Sequence, residues 1–211
     1  MKKNLHPIML AGTGSDVGKR VIAAALCRIF KQDGYRPAPF KAQNMALNSY
    51  ATPEGLEIGR AQAVQAEAAG VPCHTDMNPL LLKPSSDHTS QVVLNGRPIG
   101  NRNAFEYFRK EGREELRQEV NAAFDRLAAR YNPIVMEGAG SISEINLRDT
   151  DLVNMPMACY ADADVILVAD IDRGGVFASV YGSVMLQTPE DKKRIKAVSY
   201  THLTLPTNSR V

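Results

Sequence analysis

The sequence has few cysteines, and none belongs to a pair of the kind that binds zinc or builds a disulfide framework. Cys27, Cys73 and Cys159 are the three cysteines among the 211 residues. They are odd in number and widely spaced, and no C-x-x-C pair occurs. We therefore expect reduced thiols that are mostly packed, rather than a disulfide or a zinc centre.

Long apolar segments and a strong net charge are also missing. No run of about 18 apolar residues, the length that crosses a bilayer, occurs, and the first residues contain no apolar segment long enough for a signal peptide. The formal charge is only +2, and no basic stripe with interleaved aromatics indicates nucleic-acid binding. We expect a cytoplasmic protein with neither a membrane nor a nucleic acid as partner. At 211 residues, 44% of them hydrophobic, the chain can form one α/β domain.

A glycine-rich turn near the amino terminus is the most informative motif. The apolar run Ile8 to Ala11 precedes it, and the apolar segment Val21 to Phe30 follows it. This order predicts a strand, a phosphate loop and a helix, because glycines let backbone N–H groups converge on an anion at the positive end of the helix dipole. Lys19 would add an ammonium group for the β and γ phosphates of a nucleotide. The residues predicted to bind the nucleotide are Gly12, Thr13, Gly14, Ser15, Asp16, Val17, Gly18, Lys19 and Arg20.

The turn departs from the usual pattern G-x-x-x-x-G-K-S/T at two points. Five residues separate Gly12 from Gly18, and Arg20 stands where the pattern has a hydroxyl. That hydroxyl normally coordinates the Mg²⁺ between the β and γ phosphates, whereas a guanidinium binds phosphate but cannot ligate a metal. An ordinary tight turn between a strand and a helix is the alternative interpretation.

Two later apolar segments end in carboxylates and are followed by glycines. They are Ile134 to Glu137 and Asp164 to Asp170. An acidic residue at the carboxyl end of a strand beside a phosphate loop holds Mg²⁺ directly or through water. We expect these two strands to be neighbours, with Glu137 as the first choice for Mg²⁺ and Asp170 or Asp172 as the second.

Polar segments follow two of the predicted strands. The run Tyr35 to Lys41 is expected to be short or at an edge, because its two prolines lack ladder donors. Gln43 and Asn44 come directly after it, where ligands bind in open α/β sheets, although an amide-rich surface loop is the alternative. The segment Ser141 to Asp151 is too polar for an interior and too long for an idle connection, which favours a functional loop.

The alternation of predicted strands and helices ends in the carboxyl-terminal part. Val176 to Leu186 is predicted to form a helix, and Arg194 to Val198 the beginning of another strand. Ser199 to Val211 is not expected to continue that strand, because Pro206 and the hydroxyl-rich composition oppose it. This tail resembles translated sequencing-adapter sequence, so we expect a non-native segment that is disordered or extended.

Seven segments together closely resemble the cobyric acid synthase family, in the order in which that family carries them. They are Gly12 to Lys19, Ala38 to Asn48, Gly59 to Gln62, Asn78 to Pro84, Glu137 to Gly140, Glu144 to Asp149 and Val168 to Phe177. The resemblance covers residues 7 to 198. It implies an α/β fold with an open, mostly parallel sheet and helices on both faces, of the dethiobiotin-synthetase-like branch of P-loop NTPases, in which a five-residue gap between the two glycines is usual.

The resemblance also implies an activity. The family is a glutamine-dependent amidotransferase of cobalamin biosynthesis, which amidates four peripheral carboxylates (b, d, e, g) of adenosylcobyrinic acid a,c-diamide with ATP and Mg²⁺. Residues 1–198 resemble its ATP-dependent synthetase domain, incomplete at the carboxyl end. The family's glutaminase domain, which supplies ammonia, is missing. A homodimer is compatible with this assignment.

Residue roles follow from the same resemblance. It implies catalytic roles for Lys19, Glu137 and Asp149. It implies that the corrinoid or its activated carboxylate is bound by Gln43, Asn44, Asn146, Arg148 and Asp151. Arg20 departs from the family's serine, which weakens the expected metal coordination.

Three other interpretations stay open. One is a nucleotide-switch ATPase of the chromosome-partition type, although that group carries an extra lysine early in the loop, where this chain has Gly12 and Thr13. Another is dethiobiotin synthetase, which the segments around Gln43 and Asn146 disfavour. The third is an inactive truncated fragment.

Overall fold

The computed structural model describes residues 3–86, 89–103 and 110–202. The strands are β1 (Ile8–Gly12), β2 (Ala38–Phe40), β3 (Gln43–Met45), β4 (Ser49–Ala51), β5 (Glu57–Gly59), β6 (Leu80–Ser86), β7 (Thr89–Leu94), β8 (Arg97–Asn103), β9 (Ile134–Glu137), β10 (Asp164–Asp170) and β11 (Ile195–Thr201). The helices are α1 (Lys19–Gln32), α2 (Arg60–Ala69), α3 (Lys110–Ala128), α4 (Met155–Tyr160), α5 (Val176–Met185) and α6 (Pro189–Arg194). Short 3₁₀ turns occupy Thr75–Met77 and Ile145–Thr150.

A five-stranded parallel sheet with the order β11-β10-β1-β9-β2 forms the centre of the fold. Both of its faces are covered, as the alternation of side chains along β1 shows. Met9 packs in the cluster that includes Leu127 of α3, whereas Leu10 packs on the other face with the buried Cys27 of α1. The predicted open parallel sheet with helices on both faces is confirmed. Among the described residues no helix is long and apolar enough to cross a bilayer.

Strand β2 lies at one edge of this sheet and pairs only with β9. The backbone N–H of Ala38 reaches Pro133, and Pro39 needs no donor on its free side. The edge position predicted from the two prolines is therefore confirmed.

Strand β11 forms the opposite edge, and here the sequence-based expectation is wrong. The strand does not stop at Val198, because Ser199, Tyr200 and Thr201 continue the parallel ladder opposite Val168 to Asp170. Hydroxyl and aromatic side chains fit an edge strand that is half open to solvent, and Pro206 lies beyond the paired residues. The rest of the tail, from residue 203 onwards, lies outside the described residues.

A second sheet with the order β3-β6-β7-β8 follows the central one in the chain. Its β7–β8 hairpin turns at Asn95 and Gly96, which have φ values of 48° and 79°. Such a pair of positive φ angles defines the type I′ turn that Asn-Gly favours. Leu80 and Leu82 of β6 join the same core cluster as Phe40 of β2, so one core connects the two sheets.

Candidate active site

The glycine-rich turn joins β1 to α1 as predicted. The backbone N–H groups of Val21 and Ile22 both reach the Gly18 carbonyl oxygen, at 3.1 and 3.2 Å, so the first turn of α1 begins directly behind the loop. Gly18 has a φ of 91°, a left-handed conformation that favours glycine. Ser15 and Asp16 at the tip of the loop are exposed. The positive end of α1 is therefore directed at an open, glycine-rich loop.

Lys19 folds back over this loop. Its Nζ donates hydrogen bonds to the carbonyl oxygens of Gly14 at 2.7 Å and Gly140 at 2.8 Å. Burial, reinforced by the nearby Lys41 ammonium, lowers the pKa of Lys19 to about 8. Gly12 lies beneath the ammonium, since a Cβ at this position would come within 2.4 Å of Nζ. A polyanion bound in the loop would favour the charged form of Lys19, so the site is electrostatically suited to phosphate.

Glu137 ends β9 in a fully occupied, buried position. Lys41, just after β2, donates from Nζ to Oε1 at 2.7 Å, and Gln65 of α2 donates from Nε2 to Oε2 at 2.7 Å. Only 4% of the Glu137 side chain and 8% of the Lys41 side chain is exposed. Gln62 lies nearby, with its Nε2 3.5 Å from Oε2 of Glu137. The predicted metal ligand is thus the acceptor of a buried ion pair in this structure.

Sequence reasoning did not assign functional roles to Lys41 and Gln65. One signal was present in each case. Lys41 ends the run of β2 at the sheet edge where ligands bind. Gln65 interrupts the small-residue face of α2, where a residue that is 1% exposed has to find a polar partner.

Asp170 and Asp172 lie apart from Glu137. The sequence-based expectation that β9 and β10 are neighbours is wrong. The two strands flank β1 on its two sides. In register, Glu137 is level with Leu10, whereas Asp170 lies two residues beyond Val168, the partner of Gly12. These positions differ by about 10 Å across the sheet and about 13 Å along it, so one Mg²⁺ cannot bind Glu137 and Asp170 together.

The surroundings of the second pair differ from those of Glu137. Asp170 accepts a hydrogen bond from the Asp172 backbone N–H at 2.9 Å and pairs with Nε of Arg173 at 3.0 Å. Asp172 is exposed. No group of three or more potential ligands gathers anywhere in the described residues. Mg²⁺ in nucleotide sites usually takes only one or two carboxylates plus phosphate oxygens and waters, so either Glu137 or Asp170 fits that donor set.

The polar segment after β9 forms a cavity with β3. The cavity has a volume of about 260 Å³, and Gln43, Arg148 and Asp151 line it together with Gly140. Arg148 pairs with Asp191. Asp151 also holds the backbone, since its Oδ1 accepts from the N–H groups of Val153 and Asn154 at 2.7 and 3.0 Å.

The other predicted substrate and catalytic residues do not line this cavity. Asn146 and Asp149 lie on the exposed side of the 3₁₀ turn Ile145–Thr150. Asn44 follows Gln43 on β3 and therefore faces the opposite side, where its Nδ2 donates to Oε1 of Gln62 at 3.1 Å. The structure brings together three of the five predicted substrate residues and separates the other two.

A parallel strand, a glycine-rich loop with its lysine, and a helix in this order define a P-loop nucleotide-binding domain. Residues 8–201 match the family model described as "CobQ/CobB/MinD/ParA nucleotide binding domain". The chain belongs to this family.

Curated relatives give a narrower indication within the family. The chain is similar to the cobyric acid synthase of Phocaeicola vulgatus, with 99% identity over 198 residues that cover 94% of this chain and 40% of the relative. It is 88% identical to that of Bacteroides fragilis with the same coverage, and 59% identical to that of Yersinia enterocolitica over 90% of this chain and 37% of the relative. The chain therefore spans about 40% of the length of the curated relatives it matches.

Solved structures support the fold alone. The signal recognition particle receptor FtsY from Elizabethkingia anophelis in complex with GDP superposes with a TM-score of 0.52 at 14% identity, over 95% of this chain and 49% of that one. At so low an identity the likeness carries no functional argument.

Proposed function

We propose that this chain is the ATP-dependent synthetase part of a cobyric acid synthase, which activates peripheral carboxylates of adenosylcobyrinic acid a,c-diamide for amidation. The observation that carries the proposal is the 99% identity to a cobyric acid synthase over 94% of the chain. The geometry of the loop, with the positive end of α1 and the Lys19 ammonium directed at one place, supports phosphate binding there.

The chemistry that we propose has two steps. An oxygen of a corrinoid carboxylate attacks the γ-phosphorus of ATP, the bond to the bridging oxygen breaks, and ADP leaves with that electron pair. Ammonia then attacks the carbonyl carbon of the acyl phosphate, phosphate leaves, and a proton is lost to give the amide. Such phosphoryl transfer depends mainly on positioning and on neutralising charge.

Lys19 is positioned to neutralise that charge, because its ammonium already lies between two carbonyl oxygens of the site. In our proposal Glu137, or in its place Asp170 or Asp172, holds Mg²⁺, which would neutralise phosphate charge. Lys41 is then free to bind an anion, since it would lose its carboxylate partner. Gln43, Arg148 and Asp151 face the corrinoid from the cavity beside Gly140, while Asn44, Asn146 and Asp149 would contribute from outside that cavity.

The domain assignment is part of the same proposal. Residues 1–198 correspond to the synthetase domain, residues 199–211 are a non-native tail, and the glutaminase that supplies ammonia belongs to the part of the relatives that this chain does not cover. The Phocaeicola relative matches over 198 residues, which supports a domain of this length.

Arg20 is the residue that opposes the metal half of the proposal. It is exposed at the start of α1, and its carbonyl oxygen accepts from Nε2 of Gln65 at 3.3 Å. Because a guanidinium is a donor only, Arg20 cannot replace a hydroxyl as metal ligand. We expect Arg20→Ser to raise the affinity for Mg·ATP.

Thermal unfolding of the chain and of Arg20→Ser, each with and without Mg·ATP, tests this proposal. Nucleotide at 100 times its Kd stabilises the folded state by about 2.7 kcal/mol, which raises the midpoint of a domain of this size by about 5–11 °C. A rise in the Ser variant that exceeds the rise in the parent supports the proposal. No rise in either protein contradicts nucleotide binding by this chain, and equal Mg²⁺ dependence in both contradicts the role assigned to position 20.

ATP turnover distinguishes the partition-type alternative. A rate of ATP hydrolysis that increases on addition of the corrinoid diamide and free ammonia supports a synthetase. A rate that neither compound changes contradicts a synthetase.

A further inference from the structure

We propose that the groove between α1 and α2 binds the apolar surface of the corrin ring, and that Arg60 binds one of its peripheral carboxylates. This inference rests on the proposed function and assigns a ligand surface that shares no lining residue with the cavity beside Gly140, although Arg20 at the end of the phosphate loop also lines it. We call it the α1–α2 groove, and define it by Val21 of α1, Leu47 after β3, and Arg60, Val64 and Gln65 of α2.

The groove is wide and apolar for an exposed surface. Its volume is about 650 Å³, within the usual range for small-molecule sites of about 300–1,000 Å³. Val21 is 73% exposed, Leu47 68% and Val64 45%, although all three are aliphatic. Contiguous apolar surface that remains open to water is typical of a binding surface rather than of an idle one.

Cations lie at the rim of this apolar surface without an acidic partner. In the described part of the chain neither Arg60 nor Arg20 forms an ion pair with a carboxylate, and Arg60 instead lies with Cζ 5.2 Å above the ring of Tyr50. Arg60 is the first residue of α2, and it lines both this groove and the neighbouring cavity that Tyr50 lines. An apolar groove with unpaired arginines complements a ligand that is broadly apolar and carries carboxylates at its edge, which describes a partly amidated corrinoid.

The inner end of the groove reaches the catalytic region. Gln65 lines the groove, and its Nε2 donates to Oε2 of Glu137 at 2.7 Å. Glu137 in turn holds Lys41 at 2.7 Å. One side chain therefore separates the groove from the buried ion pair beside the phosphate loop, and a carboxylate at the inner end would lie near the ammonium groups of that region.

The apolar lining also suits a substrate that has to bind in several orientations. The proposed reaction amidates four different carboxylates, and each must reach the same activated phosphate. Aliphatic contacts are non-directional, so they tolerate rotation of the ring, whereas a fixed set of hydrogen bonds would select one orientation. The Arg60 guanidinium can donate hydrogen bonds to whichever carboxylate is presented at the rim.

Direct binding of two corrinoids tests the proposal. Cobyrinic acid a,c-diamide carries free carboxylates, while cobinamide has them amidated, and equilibrium dialysis with visible absorbance measures both. We expect the chain to bind the acid more tightly. Arg60→Met, which keeps the length of the side chain, should weaken binding of the acid about tenfold, as expected for loss of a charge-assisted hydrogen bond, and change cobinamide binding less than twofold. Arg36→Met is the matched control, because Arg36 also lies over a tyrosine ring, 4.9 Å from the centroid of Tyr131, outside the groove.

A second pair of variants tests the apolar surface independently of Arg60. Leu47→Asp should weaken binding of both corrinoids, whereas Ile29→Asp, at an exposed position of α1 outside the groove, should weaken neither. Unchanged binding of the acid in Arg60→Met, or an equal loss in Arg36→Met, would overturn the proposal. If the parent chain responds to Mg·ATP but binds neither corrinoid, the groove is wrongly assigned while nucleotide binding stands. A response to neither ligand rejects the proposed function itself.

Discussion

Replacing Lys41 by methionine tests the contribution of the buried Lys41–Glu137 ion pair to stability. Both side chains of the pair are less than one-tenth exposed. Removing the ammonium leaves the Glu137 carboxylate buried with two neutral donors, the Gln65 amide at 2.7 Å and the Gln62 amide at 3.5 Å. Breaking such a pair from one side costs about 3–5 kcal/mol, because one charge stays buried without compensation. For a domain of this size that loss lowers the unfolding midpoint by about 6–20 °C.

Urea unfolding followed by circular dichroism measures the loss, provided that the m value is unchanged. Lys41→Met/Glu137→Gln should recover most of it, because the second substitution removes the stranded charge and keeps an acceptor for Gln65. Lys83→Met is the matched control. Lys83 pairs with Glu57, but both side chains are 22–26% exposed, so this loss should stay below about 1 kcal/mol.

The outcome that refutes this reasoning is specific. If Lys41→Met costs no more than Lys83→Met, the buried pair is not the constraint that the geometry indicates. If the double variant loses as much unfolding free energy as Lys41→Met and Glu137→Gln lose in sum, Lys41 and Glu137 are not coupled.

Three further predictions concern the loop and the thiols. Gly12→Ala should abolish the ATP-dependent rise of the midpoint, measured by thermal unfolding, because its Cβ would lie 2.8 and 2.9 Å from the backbone oxygens of Gly14 and Gly140 and would also displace Nζ of Lys19. The ATP-dependent rise of the midpoint should also shrink above pH 8 in the parent chain but not in Lys19→Arg. The reason is that Lys19 in the empty folded site loses its proton at a pKa of about 8, whereas an unfolded lysine keeps it to 10.5. A rise that is constant to pH 9.5 would contradict this prediction. For the same reason the Lys19 contribution to stability without ligand rises with pH between those two values, because the unfolded chain then binds more protons. Burial raises the pKa of Cys27 to about 12, so a thiol reagent at pH 8 should modify the exposed Cys159 and leave Cys27 unmodified until the chain unfolds, as peptide mapping would show.

Local patterns predicted the parts of the fold that local chemistry determines. The order of strand, glycine loop and helix followed from residues 8 to 30. The edge position of β2 followed from the missing donors of its prolines. The Asn95-Gly96 turn also depends on local chemistry, since both of its residues have positive φ angles, which asparagine and glycine tolerate best.

Long-range features were not accessible in this way. Nothing in the two acidic strand ends shows that β1 lies between them, because the order of strands in a sheet depends on contacts between distant segments. The pair of Lys41 and Glu137 joins residues 96 positions apart. The continuation of β11 to Thr201 was missed because composition was weighed as for a buried strand, whereas an edge strand accepts hydroxyl residues.

The short connection between β2 and β3 has a consequence for how this domain can change. Only Lys41 and Ala42 separate a strand of the central sheet from a strand of the second sheet. The backbone N–H of Lys41 donates to Met77 at 2.8 Å, and its carbonyl accepts from Asn78 at 3.1 Å, so the main chain is pinned at this corner while the side chain serves the site. An insertion of one residue here would both shift the register of β3 and move the Lys41 ammonium away from Glu137. The position of the Lys41 ammonium and the register of β3 therefore depend on the same two residues, whereas a Cβ added at Gly55, in an exposed turn, would meet no neighbour.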